Sequence, residues 1–145
     1  MADEANEQAY QLVTEAGETL TTSRGFSGKG TATYPGGDSY EGSFIDGVRH
    51  GEGVYKYIPK GEDQQDIYKG QWEKNVKCGV GKQTYFGVGE YYGNWLDGER
   101  HGEGVMTYSN KDIYSGKWRE GKKDGEGTYI FFETGMKYVG TFKNG

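Results

Sequence analysis

From Gly28 onward, aromatic and small residues fall at alternate positions, with polar residues between them. In Tyr40-x-Gly42-x-Phe44 the two rings and the glycine share one face of an extended chain. Alternation of this kind predicts a half-buried strand. Each run is followed by x-x-Gly-x-x, which predicts a turn whose Gly or Asn takes a positive φ. A second period-2 run comes next, as in Gly51, Gly53, Tyr55 and Tyr57. Polar clusters such as Ser109-Asn110-Lys111-Asp112 then close the segment with another turn. Two strands per segment, joined by short turns, predict an all-β fold: a single-layer antiparallel β-meander of repeated hairpins, with no helix between Gly28 and Gly145.

The pattern recurs. Repeats begin at Tyr40, Tyr68, Tyr91 and Tyr114, and a shortened one begins at Tyr138, at steps of 28, 23, 23 and 24 residues. Each runs Tyr-x-Gly-x-Trp (or Phe), then a turn Gly or Asn, then Gly-x-Gly. A fixed period in this range marks a repeat array, in which each unit buries its apolar face only against its neighbours. The repeat begun at Tyr40 is five residues longer than its neighbours, and Lys60–Asp66 should protrude as a polar loop. One extra residue falls near Glu133-Thr134-Gly135.

The start of the chain departs from the pattern. Gly28-x-Gly30-x-Ala32-x-Tyr34 matches the second half of a repeat, and Glu18–Thr22 is expected to supply a degenerate opening strand. The array is thus expected to span 18–145, with an opening unit over 18–39. Residues 1–17 are expected to form an acidic tail or a short helix over Asp3–Ala16, with Tyr10, Val13 and Ala16 at i, i+3, i+6 and Gly17 as a stop. The last repeat breaks off at Gly145. Its strand edge is expected to invite self-association, or to continue in a longer protein.

Composition sharpens this picture. Gly is 27 of 145 residues and Pro only 2, so the glycines serve tight turns and close backbone approach rather than disorder. Two readings of the strand glycines stay open: cover by rings from a neighbouring strand, or freedom to twist. The net charge is −5. Four of those charges lie in residues 1–27, where Asp3, Glu4, Glu7, Glu15 and Glu18 face only Arg24, so the repeats are near neutral. That leaves no electrostatic footprint for nucleic acid and argues against a membrane surface. With one cysteine, Cys78, no disulfide forms within the chain. A reducing cytoplasmic setting is expected.

Candidate chemistry is sparse. His50, Cys78, His101 and Asp124 occupy equivalent positions in successive repeats, too far apart in sequence for a metal site or a Cys–His pair. Gly116–Lys123 imitates the start of a phosphate loop, but it lies in an expected hairpin and lacks the Ser/Thr. No catalytic, cofactor or metal residues are assigned, and no enzyme activity is expected. The rings remain: Tyr40, Phe44, Tyr68, Trp72, Tyr91, Trp95, Tyr114, Trp118, Tyr138 and Phe142. A single sheet has no second layer to cover them, so they are assigned both as core and as a partner-binding surface.

These repeats resemble the MORN repeat (membrane occupation and recognition nexus) over about residues 28–145. Departures are Phe44 and Phe142 for Trp, Asn75 for the turn Gly, and Cys78 and Asp124 where His50 and His101 sit. Gly127–Gly145 and Gly36–Phe44 further resemble the radial spoke head MORN proteins of motile cilia. That likeness implies a structural scaffold of the ciliary or flagellar axoneme, within the cytoskeleton, with other radial spoke head proteins as partners. Two alternatives stay beside it: a membrane-adjacent module that binds phosphoinositides, and a regulatory fragment of a larger protein.

Overall fold

The computed structural model describes residues 9–145. Every regular element among them is a strand. The chain divides into two compact bodies, one ending at Val76 and one running from Lys77 to Gly145.

The first body holds β1 (Gln11–Thr14), β2 (Thr19–Leu20), β3 (Gly28–Thr33), β4 (Ser39–Ile45), β5 (Val48–Lys56) and β6 (Ile67–Glu73). Its strands lie in the order β6-β5-β4-β3-β1-β2. The second holds β8 (Gly89–Leu96), β9 (Glu99–Tyr108), β10 (Ile113–Arg119), β11 (Lys122–Ile130) and β12 (Lys137–Phe142), led by β7 (Val76–Tyr85), which begins at the boundary. Its order is the chain order. The pairings are antiparallel, as in Tyr114↔Tyr129 and Gly116↔Gly127 between β10 and β11. The single-layer meander expected from the alternation is thus the fold of each body.

The turns follow from their residues. Asp97 and Gly98 have φ of 50° and 82°, and Glu120 and Gly121 have 51° and 80°. Paired positive φ is the geometry of the two-residue hairpin whose twist matches its strands. Asn75, at φ 69°, fills the same place as those glycines. The long loop is also as expected: Lys60–Asp63 is exposed, pinned by Lys60 N–H to the Gln64 carbonyl at 2.8 Å.

The opening of the chain corrects the sequence reading. Gln11–Thr14 is a strand rather than part of a helix or tail; the remainder of that expected helix, up to residue 8, lies outside the described residues. Alternation decides it. Leu12 and Thr14 are buried while Gln11 and Val13 are exposed. Leu12 pairs with Ala32 and Thr14 with Gly30, the register that Tyr and Gly hold in later repeats. The strand beside β3 is therefore β1, and Thr19–Leu20 pairs outside it as the outermost strand.

Candidate functional site: a ring face lined with cations

The rings form the core. Tyr40, Tyr68, Tyr91 and Tyr114 are fully buried, and Phe44, Trp72, Trp95 and Trp118 nearly so. Tyr138 is half exposed and Phe142 partly buried. The glycines explain how one layer buries them. The Tyr91 ring crosses to the facing strand and lies over Gly104, where any Cβ would overlap the ring. A Cβ on Gly93 would in turn strike the Gly104 Cα. Gly102 serves the backbone instead, since its φ of 70° accompanies the register shift between Gly93 and Trp95. Ring cover and backbone freedom, left open in sequence, are thus divided between the two glycines of Gly51-x-Gly53, Gly102-x-Gly104 and Gly125-x-Gly127.

The buried tyrosines and tryptophans also satisfy their polar atoms. The tyrosine hydroxyls donate to the carbonyl three residues on: Tyr40 to Ser43, Tyr91 to Asn94 and Tyr114 to Lys117, each at 2.8 Å. The indole N–H groups donate to glycine carbonyls on the preceding strand, Trp95 to Gly81 at 3.0 Å and Trp118 to Gly104 at 3.1 Å. Phe44 and Phe142 lack this bond. Burial pushes the Tyr40 hydroxyl up to about 12, and that of Tyr91 further up.

Because eight of the ten assigned rings are core, a molecule resting on this face meets what stands above them. Sequence reasoning missed that layer. Arg49, Lys77, Arg100 and Lys123 hold one position, two residues after the turn Gly or Asn, and each cation lies over aromatic rings. The Arg49 guanidinium is 4.8 Å from the Trp72 centroid and 5.3 Å from Tyr55. Arg100 is 4.8 Å from Trp118 and 5.3 Å from Tyr85. Lys77 is 5.2 Å from Trp95, and Lys123 5.2 Å from Tyr108. The ring quadrupole attracts a cation, which lets a charge stand half-buried on an aromatic floor. Arg49 also donates to the Tyr34 hydroxyl at 2.9 Å, and Lys123 to that of Tyr108 at 2.8 Å. The signal was present in the sequence: aligning repeats places Arg or Lys at this position in every full one. In the opening unit Phe26 stands there, its carbonyl accepting from Gly47 as that of Arg100 does from Gly121. Phe26 meets Phe44 edge-on at 5.6 Å, so one ring pair replaces one cation–indole pair.

Beside the cations stands a second set of half-buried rings, Tyr34, Tyr55 and Tyr57 in the first body and Tyr85, Tyr108 and Tyr129 in the second. Two are clasped by carboxylates. Tyr55 donates to Asp38 at 2.7 Å, and Tyr129 to Asp112 at 2.8 Å. Asp112 also accepts from the Phe132 N–H, the main cause that holds its carboxyl below the usual range.

Gly116–Lys123 runs through β10 and its hairpin turn, without a helix behind it. Among the described residues, no three His, Cys, Asp or Glu side chains gather where they could hold a metal ion. Cys78 is a partly buried thiol.

Comparison with known proteins agrees with this geometry. The MORN repeat family model matches residues 23–39, 40–60, 68–86, 91–113 and 114–133, well over half of the chain. Human ALS2 C-terminal-like protein is 38% identical over 58 residues, 40% of this chain and 6% of that protein. Human alsin is 34% identical over 58 residues, 40% of this chain and 4% of its own length. Mouse ALS2 C-terminal-like protein is 37% identical over 65 residues, 45% of this chain and 7% of that protein. The chain thus spans under a tenth of the curated relatives it matches. Five matched repeats, covering well over half of its residues, place this chain in the MORN repeat family.

Proposed function

We propose that this protein is a non-enzymatic scaffold that holds partner proteins along its ring face, and that its assembly is the radial spoke head of the ciliary or flagellar axoneme. One observation carries the scaffold reading. Within the body Lys77–Gly145, the half-buried cations and tyrosines are laid out along the sheet face rather than converging on a pocket. The address rests on the likeness of Gly127–Gly145 and Gly36–Phe44 to radial spoke head MORN proteins. The ring-face cations also bear on the phosphoinositide alternative, because they offer charge to an acidic headgroup.

A tagged copy expressed in a ciliated cell tests the assembly. Enrichment along the axoneme, with spoke head proteins recovered on purification, is the expected result. Diffuse cytoplasmic staining without axonemal proteins would sink it. Strong co-sedimentation with phosphoinositide-containing vesicles at physiological salt would favour the membrane alternative. The alsin matches favour a second reading, a MORN segment of a larger protein. An immunoblot tests it: a native band much larger than the 16.1 kDa of this chain supports the larger protein, and a band near that mass overturns it.

A further inference from the structure

In the body Lys77–Gly145 the outer face carries both signs, with Lys82 and Glu90 paired at 3.4 Å, while cations line the ring face. Lys77, Arg100 and Lys123 stand over the rings. Glu90, Glu103 and Glu126 sit one residue out of phase with Tyr91, Gly104 and Gly127, hence on the opposite face, and all three are exposed. Asp112 is spoken for by the Tyr129 hydroxyl and the Phe132 N–H. Next to the cations, Tyr108 and Tyr129 lie 5.9 Å apart, and Tyr129 and Phe131 4.8 Å apart, as a part-exposed apolar ribbon.

We propose that this face receives an acidic amphipathic helix of a partner protein, one heptad to each repeat. The proposal rests on the scaffold reading and names the chemistry of its partner. The cations recur at every second strand, so successive ones are about 9.6 Å apart at ~4.8 Å per strand. Seven residues of helix rise about 10.5 Å. Carboxylates at i, i+7 and i+14 on one helix face therefore meet Lys77, Arg100 and Lys123 in turn. Apolar residues three or four positions on fall over the tyrosine ribbon. An ammonium carries three donors and a guanidinium five; Lys123 and Arg100 each give one to the protein and keep others for a carboxylate, while Lys77 already donates to the Gln83 side chain at 2.8 Å and meets its carboxylate chiefly as a charge. An extended segment matches the spacing too, at ~3.3 Å per residue. Its backbone groups, however, would lie against rings with no partner, because the sheet spends its own on strand pairing. A helix satisfies its backbone internally.

The test uses the full chain and two synthetic three-heptad helices of equal composition. In one, Glu recurs every seventh residue beside a leucine stripe; in the other, the glutamates are moved to the far side. Calorimetric titration is expected to show the first binding roughly tenfold tighter or more. Lys77→Gln with Lys123→Gln should erase that preference. Lys82→Gln with Lys117→Gln makes the same charge change on the opposite face and should keep it. Circular dichroism checks each variant, and if the first fails to fold, Lys123→Met alone replaces it. Equal affinity of the two peptides for the native chain overturns the proposal, as does equal loss in both double variants. The cell experiment is independent: spoke head proteins recovered by a chain indifferent to the two peptides would retire the helix while leaving the scaffold.

Discussion

Two glycines of the array are held for different reasons, and this gives different expectations for their replacement. A methyl on Gly104 has to displace the Tyr91 ring, which is buried and bonded through its hydroxyl. Gly104→Ala should cost about 3 kcal/mol of unfolding free energy in urea titration, the upper range for overpacking a core. Gly87, by contrast, meets nothing within 4 Å and differs only by its φ of 78°. Gly87→Ala should cost about 1 kcal/mol, the strain of a left-handed alanine. Equal losses at the two sites would mean that the ring is not what demands glycine. The indoles permit a similar dissection. Trp118→Phe removes the N–H that serves the Gly104 carbonyl but keeps a ring there. A loss of about 1 kcal/mol is expected.

At the scale of single strands, the opening unit shows how a degenerate sequence keeps the geometry. Leu12 takes the place of a tyrosine, and its Cδ1 stands 2.9 Å from where a Gly30 Cβ would be. Leu12→Ala should therefore destabilise the protein by about 2–5 kcal/mol. If the N-terminal segment were only a tail, thermal melts would not register the change. The β11–β12 connection depends on a carboxylate instead. Asp112 accepts from the Phe132 N–H, and its pKa is lowered, so the bond is present above the ordinary carboxylate range and fails as pH falls through the shifted value. Hydrogen exchange at Phe132, corrected for intrinsic rate, should accelerate at acidic pH, and Asp112→Asn should remove that pH dependence. Much of this scale was legible in the sequence. Hairpins, register and turn φ follow from residues two to four apart, and Lys60–Asp66 is a run too polar to bury. β1 was hidden because four residues with one buried leucine carry no ring signature, and Tyr10, Val13 and Ala16 fit a helical spacing by chance. The cation positions were hidden for another reason. Arg and Lys in an x position read as solvated, whereas here their stems and charges are taken up by rings.

For each body as a whole, burial of tyrosines makes the core sensitive to alkali. Free tyrosine ionises near 10.0, while burial holds Tyr40 at about 12 and pushes Tyr91 higher. The folded state keeps its protons more tightly. This contribution to stability is complete below pH 10 and is lost as pH rises toward the folded values. Tyrosinate absorbance and loss of the strand signal should therefore appear together, in one cooperative step between about pH 10 and 12. Gradual ionisation with an intact sheet would contradict buried hydroxyls. The ring face was only half legible at this scale. The rings named in sequence build the sheet, and what a partner would touch is the layer of charge and phenol above them.

The fit of ring to bare backbone has a consequence for how such a chain finds its own alignment. Near-identical segments risk pairing with the wrong copy. A slip of one residue would thrust a side chain under a tyrosine and is blocked by contact alone. A slip by a whole repeat meets no such obstacle, since the same residues would return to the same places. The irregular members remove that degeneracy. Five additional residues before Asp66, Gln83 where Tyr55 and Tyr129 stand in other repeats, and Phe26 in place of a cation act as index marks along an otherwise even ruler. Among compact alignments displaced by one repeat, they leave the native one with every loop closed and every ring matched.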